Sequence, residues 1–495
     1  MRYSHKPRWM SLVTAASFIS AVAACSPKPI TTPPEIEPSA TPALASPTET
    51  LIQPTFTPTT ALRDTEMPSP RADMPLSDRG PWLTYIHEEG IVAVNPDGTG
   101  RTLLAPPPMA SAAAVSFDIP GGIAPVGSWL ALRVERVQAP GWDLKLLHLP
   151  DGQVRTITPL LSPELERQLR DGSIDLDLRN AIFWERDALR WSPDGRYLAF
   201  IAALDGPSSD LYVYDTANDT VMRLTTGPNQ AATPIWSPDG HWIVHQEVET
   251  FGSGAGWSVN TVWAAAVDGS AIVRLYDVPE NNGPEMFRGV TDSNDLLVYR
   301  WSQNTPDLHL VSLDDGRTTV LHEGFPSVEA VALDPNSGAV VFTVGSLYLR
   351  SLESVGTRVV DTRSWSGVTW APGLNQFLVH GEAGILALTP DGVGRIVSED
   401  AAIPIPSPDG AWLAHLGNTL RVYSSSEESV QEFAAWPNSA IWRLDSLGLF
   451  FMEDTSLYYL PVPNGQPVLV DAGVKVSRGF PFLDLSGIGW IGATD

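Results

Sequence analysis

From Gly80 onward, apolar residues come in short runs rich in aromatic and β-branched side chains, and each run ends in a cluster of Pro, Asp, Asn or Gly. Runs of that kind predict short strands joined by tight turns. Helical spacing stands out only in "SPELERQLR", Ser162–Arg170, where the pattern predicts one short helix.

The strand pattern repeats. "LRWSPDGRYLAF" places a strand before Pro193-Asp194-Gly195 and another after it, and "DLYVYDT" and "VMRLT" follow. Pro presets φ for a turn, Asp bonds its own backbone, and Gly tolerates positive φ. The unit is therefore four short antiparallel strands. It recurs at "PIWSPDGHWIVH" and, in weaker form, along the rest of the chain. Its opening position falls at Trp191, Trp236, Val290, Leu333, Trp370, Pro406 and Trp442, with spacings of 45, 54, 43, 37, 36 and 36 residues. The matching turns carry Asp194-Gly195, Asp239-Gly240 and Asp409-Gly410. Repeats of this length and strand count predict an all-β fold, a single β-propeller of four-stranded antiparallel blades. Eight blades are preferred, with seven to nine allowed.

A second periodic position supports this alignment. The end of each second strand carries Phe200, His245, Tyr299, Phe342, His380, His415 or Phe451. A position that is aromatic or His in every unit suits the space between packed sheets. The earliest unit, beginning "PWLTYIHEEG", lacks an opening strand, and strand-like residues remain near the C-terminus. Residues from about Phe480 to Ile491 are therefore expected to pair with Trp82–Ile86 and close the ring, which removes free sheet edges.

These units resemble the WD40-like Pro-Asp repeats of TolB-type β-propellers over about residues 80–475. The resemblance implies the fold and leaves the function open. TolB proteins carry an α/β domain before the propeller, and a Pro/Thr/Ser-rich segment occupies that place here.

The remaining sequence adds a location. Residues 1–24 read as a leader: Arg2, Lys6 and Arg8 precede an apolar stretch too short to span a bilayer. The leader ends in Val22-Ala23-Ala24-Cys25, which resembles the bacterial lipobox. That resemblance implies a lipidated Cys25 and a protein anchored on the outer face of a membrane in the bacterial cell envelope. Residues 25–77 are dominated by Pro, Thr, Ser and Ala, a composition expected of a disordered tether. Residues 78–495 form the propeller. A net charge of −26 argues against a nucleic-acid partner, since such binders need a basic face.

Chemistry is sparsely marked. Cys25 is the only cysteine, which excludes an internal disulfide framework. His241 and His245 would lie about 13 Å apart on a strand, too far to share an ion. No G-x-S-x-G elbow, P-loop or dinucleotide fingerprint occurs. Two segments remain as candidates. The carboxylates Asp171, Asp175 and Asp177 form either a calcium site or a solvated acidic loop. The insertion "EVETFGSGAGWS" carries Phe251 and Trp257 as a possible ligand-binding lip, because loops on rigid scaffolds often carry function. The expectation is a monomeric, non-enzymatic module that binds a protein or glycan partner and needs no cofactor. The alternative is a lyase or hydrolase acting on extracellular polysaccharide at the central channel.

Overall fold

A computed structural model describes residues 74–105, 121–136, 141–175, 178, 182, 188–250, 257–278, 285–300, 308–323, 328–350, 357–424, 430–433, 437, 439–475 and 488–492. Cys25, the predicted leader and the predicted tether up to residue 73 lie outside the described residues, as do Asp177 and Phe251.

The unit Phe56–Asp495 is a nine-bladed β-propeller. Among the described residues eight sheets have four antiparallel strands each, and the second has three, Trp129–Glu135, Trp142–His148 and Val154–Pro159. An isolated bridge between Ile123 and Leu130 marks where that second sheet would gain a fourth strand. The count is nine rather than the preferred eight because the incomplete first unit is a blade in its own right. Its missing strand is Ile488–Ile491, which pairs antiparallel with Trp82–His87, matching Trp82 to Ile491 and Tyr85 to Ile488. The two ends of the propeller thus share one sheet, as the leftover strands predict.

The turn Ser-Pro-Asp-Gly works through its side chains. In the third blade, the Ser192 hydroxyl donates to the Asp194 carboxylate at 2.5 Å, and that carboxylate also accepts from the Arg196 N–H at 3.0 Å. The same hydroxyl accepts from the Tyr197 N–H at 2.9 Å. Gly195 supplies the left-handed step, at φ 69°. Ser237–Asp239 and Ser407–Asp409 repeat the arrangement, with hydroxyl–carboxylate distances of 2.5 and 2.7 Å. Gly240 and Gly410 take the same left-handed step, at φ 71° and 72°.

The tryptophans that precede these turns join the blades. The Trp191 indole N–H donates to the Gly122 carbonyl at 2.7 Å, and Trp236 donates to the Arg190 carbonyl at 2.9 Å. Trp442 reaches the Ile405 carbonyl at 2.9 Å, and Trp490 on the closing strand reaches the Trp442 carbonyl at 2.8 Å. The bonds of Trp236, Trp442 and Trp490 each run from one blade's first strand to the first strand of the blade before it, and that of Trp191 reaches the segment beside the Ile123 bridge. Trp370 departs from this pattern. Its ring packs on Phe377 at 4.7 Å, and its buried indole nitrogen finds no partner.

The second-strand aromatic position packs as predicted. Phe200, Phe342 and Phe451 are buried and stack on Tyr212, Tyr348 and Tyr458 of the adjoining strand. His245 and His415 take the same place and are buried too, while His380 is half-buried.

The predicted helix is Pro163–Asp171, between the second and third blades. Ser162 caps its first turn by accepting from the Leu165 N–H at 3.3 Å, and Gly172 ends it at φ 75°. Leu165 is buried against the second and third blades. Among the described residues no helix is long and apolar enough to cross a membrane.

Candidate functional site

A cleft of about 290 Å³ opens between the third and fourth blades. Its rim is the connection Thr225–Asn229, which lies at the end of the blades opposite the Pro-Asp-Gly turns. Its walls include Asp210, at the start of the third blade's third strand, and His245, Glu247 and Trp263 of the fourth blade. The fourth blade is irregular here. Its second and third strands, Trp242–Thr250 and Trp257–Ala266, form an unusually long hairpin with a register shift at Glu247/Val248. Its first strand bulges between Ala232 and Ile235, with Thr233 at φ 52°, a strained value for a β-branched residue. Bulges of this kind re-aim side chains next to sites.

Each carboxylate in the cleft is held by protein donors. Asp210 is almost fully buried; it accepts from Arg223 at 2.6 Å and from the Thr225 hydroxyl at 3.0 Å. Burial pushes its carboxyl above the ordinary range, and Arg223 and Thr225 offset only part of that rise. Glu247 accepts from Asn229 at 2.5 Å and from the Trp263 indole at 2.8 Å. Both of those donors are neutral, so they orient the Glu247 charge without cancelling it.

His245 is 3% exposed, and its Nδ1 has no hydrogen-bond partner. Burial drives its pKa down to about 4, against a weak opposing pull from the Ile243 carbonyl. The ring is therefore neutral at physiological pH.

The sequence candidates divide. Residues 251–256 of the insertion predicted as a lip lie outside the described residues, and Trp257 begins the fourth blade's third strand opposite Thr250. Asp171 and Asp175 do not converge on a site. Asp171 accepts from the Ser173 N–H at 3.0 Å and from Arg167 at 2.9 Å, and Asp175 accepts from the Leu178 N–H at 3.1 Å. The Asp171 bonds lie at the end of the helix Pro163–Asp171. Among the described residues no three His, Cys, Asp or Glu side chains come together as a metal site.

Sequence reasoning missed Asp210, Glu247 and Trp263, and it assigned His245 to packing alone. The available signal was that "HQEVET" puts carboxylates on the one hairpin that outgrows its counterparts.

A second, wider hollow of about 560 Å³ lies at the other end of the same two blades. It runs between their Pro-Asp-Gly turns and includes Asp194, Asp239, His241 and Asp268.

No protein-family profile matches the chain. It is 46% identical over 55 residues to the uncharacterized peptidase YuxL of Bacillus subtilis strain 168, which covers 11% of this chain and 8% of that one. It is 32% identical over 109 residues to the uncharacterized protein Atu1656 of Agrobacterium fabrum, covering 22% of this chain and 33% of that one. The chain thus spans a third or less of the length of these relatives. Similar solved structures include TolB from Acinetobacter baumannii, at 16% identity and TM-score 0.29 over 59% of this chain and 68% of that one. They also include the WD40 domain of Sif2, at 12% identity and TM-score 0.39 over 69% and 95%.

Proposed function

We propose that this chain is a lipid-anchored, extracytoplasmic binding module. In this reading the propeller engages a protein or glycan partner through the cleft between its third and fourth blades, without catalysing a reaction. The observation that carries the reading is the state of the cleft's polar groups. Asp210 is tied to Arg223, and Glu247 receives two donors. A histidine acting as general base is held in place by a carboxylate bonded to its other ring nitrogen. Both carboxylates are instead fixed as recognition groups, and the neutral His245 stands with no carboxylate bonded to Nδ1 to orient it. Pockets of this type, mostly apolar with a few placed polar groups, are the usual form of a ligand seat.

The point where the chain enters the propeller fits the same reading. Pro75 and Ser77 are clamped by Asn95, whose amide donates to the Pro75 carbonyl at 3.0 Å and whose oxygen accepts from the Ser77 N–H at 2.8 Å. Asn95 follows the strand Gly90–Val94, at the end of the first blade where the Pro-Asp-Gly turns lie. The described chain therefore enters the propeller at that end of the blades, and the rim of the cleft opens at the other. The 55-residue likeness to an uncharacterized peptidase is about one blade long and covers 8% of that protein.

Two measurements test the proposal. Cys25→Ser should move the protein from the membrane to the soluble fraction with its thermal melt unchanged; retention in the membrane would place the anchor elsewhere. Panels of glycans and of envelope-protein peptides, read by calorimetry, should yield a ligand whose binding falls at least tenfold in Asn229→Ala. Binding that ignores this substitution would remove the cleft from the reading, and mass-spectrometric detection of a converted panel member would replace it with an enzymatic one.

A further inference from the structure

We infer that the cleft between the third and fourth blades recognises a primary ammonium group, a refinement that rests on the binding-module reading above. The inference comes from counting hydrogen-bond capacity. The Asn229 amide and the Trp263 indole donate to Glu247, and the Thr225 hydroxyl and Arg223 donate to Asp210. These donors are thus already engaged inside the protein. Acceptor capacity remains on the two carboxylates and on one ring nitrogen of the neutral His245, whose other ring nitrogen carries the proton. An ammonium has three donors and no acceptor, so it can use these lone pairs.

Charge selects the same group. Asp210 is neutralised by Arg223, whereas Glu247 has only neutral partners. Covering Glu247 with an uncharged ligand would strip water from an uncompensated carboxylate, which is unfavourable. A cation placed there restores the balance. His245 does not compete for that role, because its pKa of about 4 keeps it uncharged. The Trp263 ring already attracts one cation, with the Arg274 guanidinium 5.9 Å from its centroid. The cavity, about 290 Å³, is at the small end of ligand pockets and suits a single side chain or small amine.

Calorimetry on the full chain, with four probes, tests the inference. Nα-acetyl-lysine amide and butylamine should both bind, while Nα,Nε-diacetyl-lysine amide and glucose should bind at least tenfold more weakly. Glu247→Gln should weaken both amines at least tenfold. If that variant does not fold, the contrast between amine and acetylated probes on the native chain still decides. Tighter binding of the lysine probe than of butylamine would assign the ammonium to a partner protein's side chain, and equal binding would assign it to a free amine. Equal binding of the acetylated and free amines, or amine binding indifferent to Glu247→Gln, overturns the inference. Glucose binding that depends on Asn229 would overturn it while leaving the binding-module reading intact. Failure of every probe and every panel member at the cleft would end both.

Discussion

Replacing His415 with Phe should stabilise the propeller, and more so as pH falls. His415 sits where Phe200, Phe342 and Phe451 sit in their own blades, 1% exposed, with its ring 4.1 Å from that of Tyr423. Neither ring nitrogen has a hydrogen-bond partner. Leaving a buried polar group unsatisfied costs about 1–3 kcal/mol, and Phe removes that cost at nearly constant shape. A second contribution depends on pH. Burial, with a smaller push from Arg421, lowers the His415 pKa from 6.5 to about 4. Between those values the unfolded chain holds a proton that the folded chain does not. Stability is therefore complete above about pH 6.5 and is lost as pH falls towards 4. At pH 5 this loss is about 2 kcal/mol, and at pH 7 it is close to zero. Phe does not titrate, so the variant escapes it. Acid effects from the protein's carboxylates are shared by both proteins and cancel in the difference. Urea denaturation followed by tryptophan fluorescence at pH 7.5 and pH 5 measures that difference. The variant's advantage should grow by about 2 kcal/mol between the two conditions. A pH-independent difference, or a variant less stable at both, would show that His415 is not held neutral in the core.

Three further outcomes follow from the blade contacts. Deleting residues 488–495 removes the strand paired with Trp82–His87 and exposes an edge, so the truncated chain should melt at lower temperature and aggregate; an unchanged melt would refute closure through that strand. Trp236→Phe keeps the ring but loses the bond to the Arg190 carbonyl, and should cost about 1 kcal/mol by denaturant titration, against about 3–5 kcal/mol for Trp236→Ala. Ser192→Ala breaks the hydroxyl's bonds to Asp194 and Tyr197 and should cost about 1–2 kcal/mol. It should also raise the Asp194 pKa, which that hydroxyl bond chiefly holds below the usual carboxylate range, as read by NMR titration.

The sequence by itself determined the propeller, because a blade is a local object. Its four strands, its Ser-Pro-Asp-Gly turn and its spacing lie within a few tens of residues, and each copy confirms the others. It also determined that the C-terminal strand closes the ring, since an unpaired strand and a unit lacking one are both visible in the text of the chain. The role of the tryptophans was half legible. Their recurrence showed that they pack between blades, but only the assembled ring shows that Trp191, Trp236, Trp442 and Trp490 bond a carbonyl of the preceding blade while Trp370 does not. The cleft belongs wholly to tertiary structure. Asp210 and Asn229 sit on either side of the third blade's last strand, and Glu247 and Trp263 come from two strands of the next blade. No spacing links them, because their proximity follows from how two sheets pack face to face rather than from any period along the chain. Asp171 and Asp175 show the converse: carboxylates near each other in sequence end up bonded to local backbone and side chains, since a helix end supplies partners before any distant ligand does.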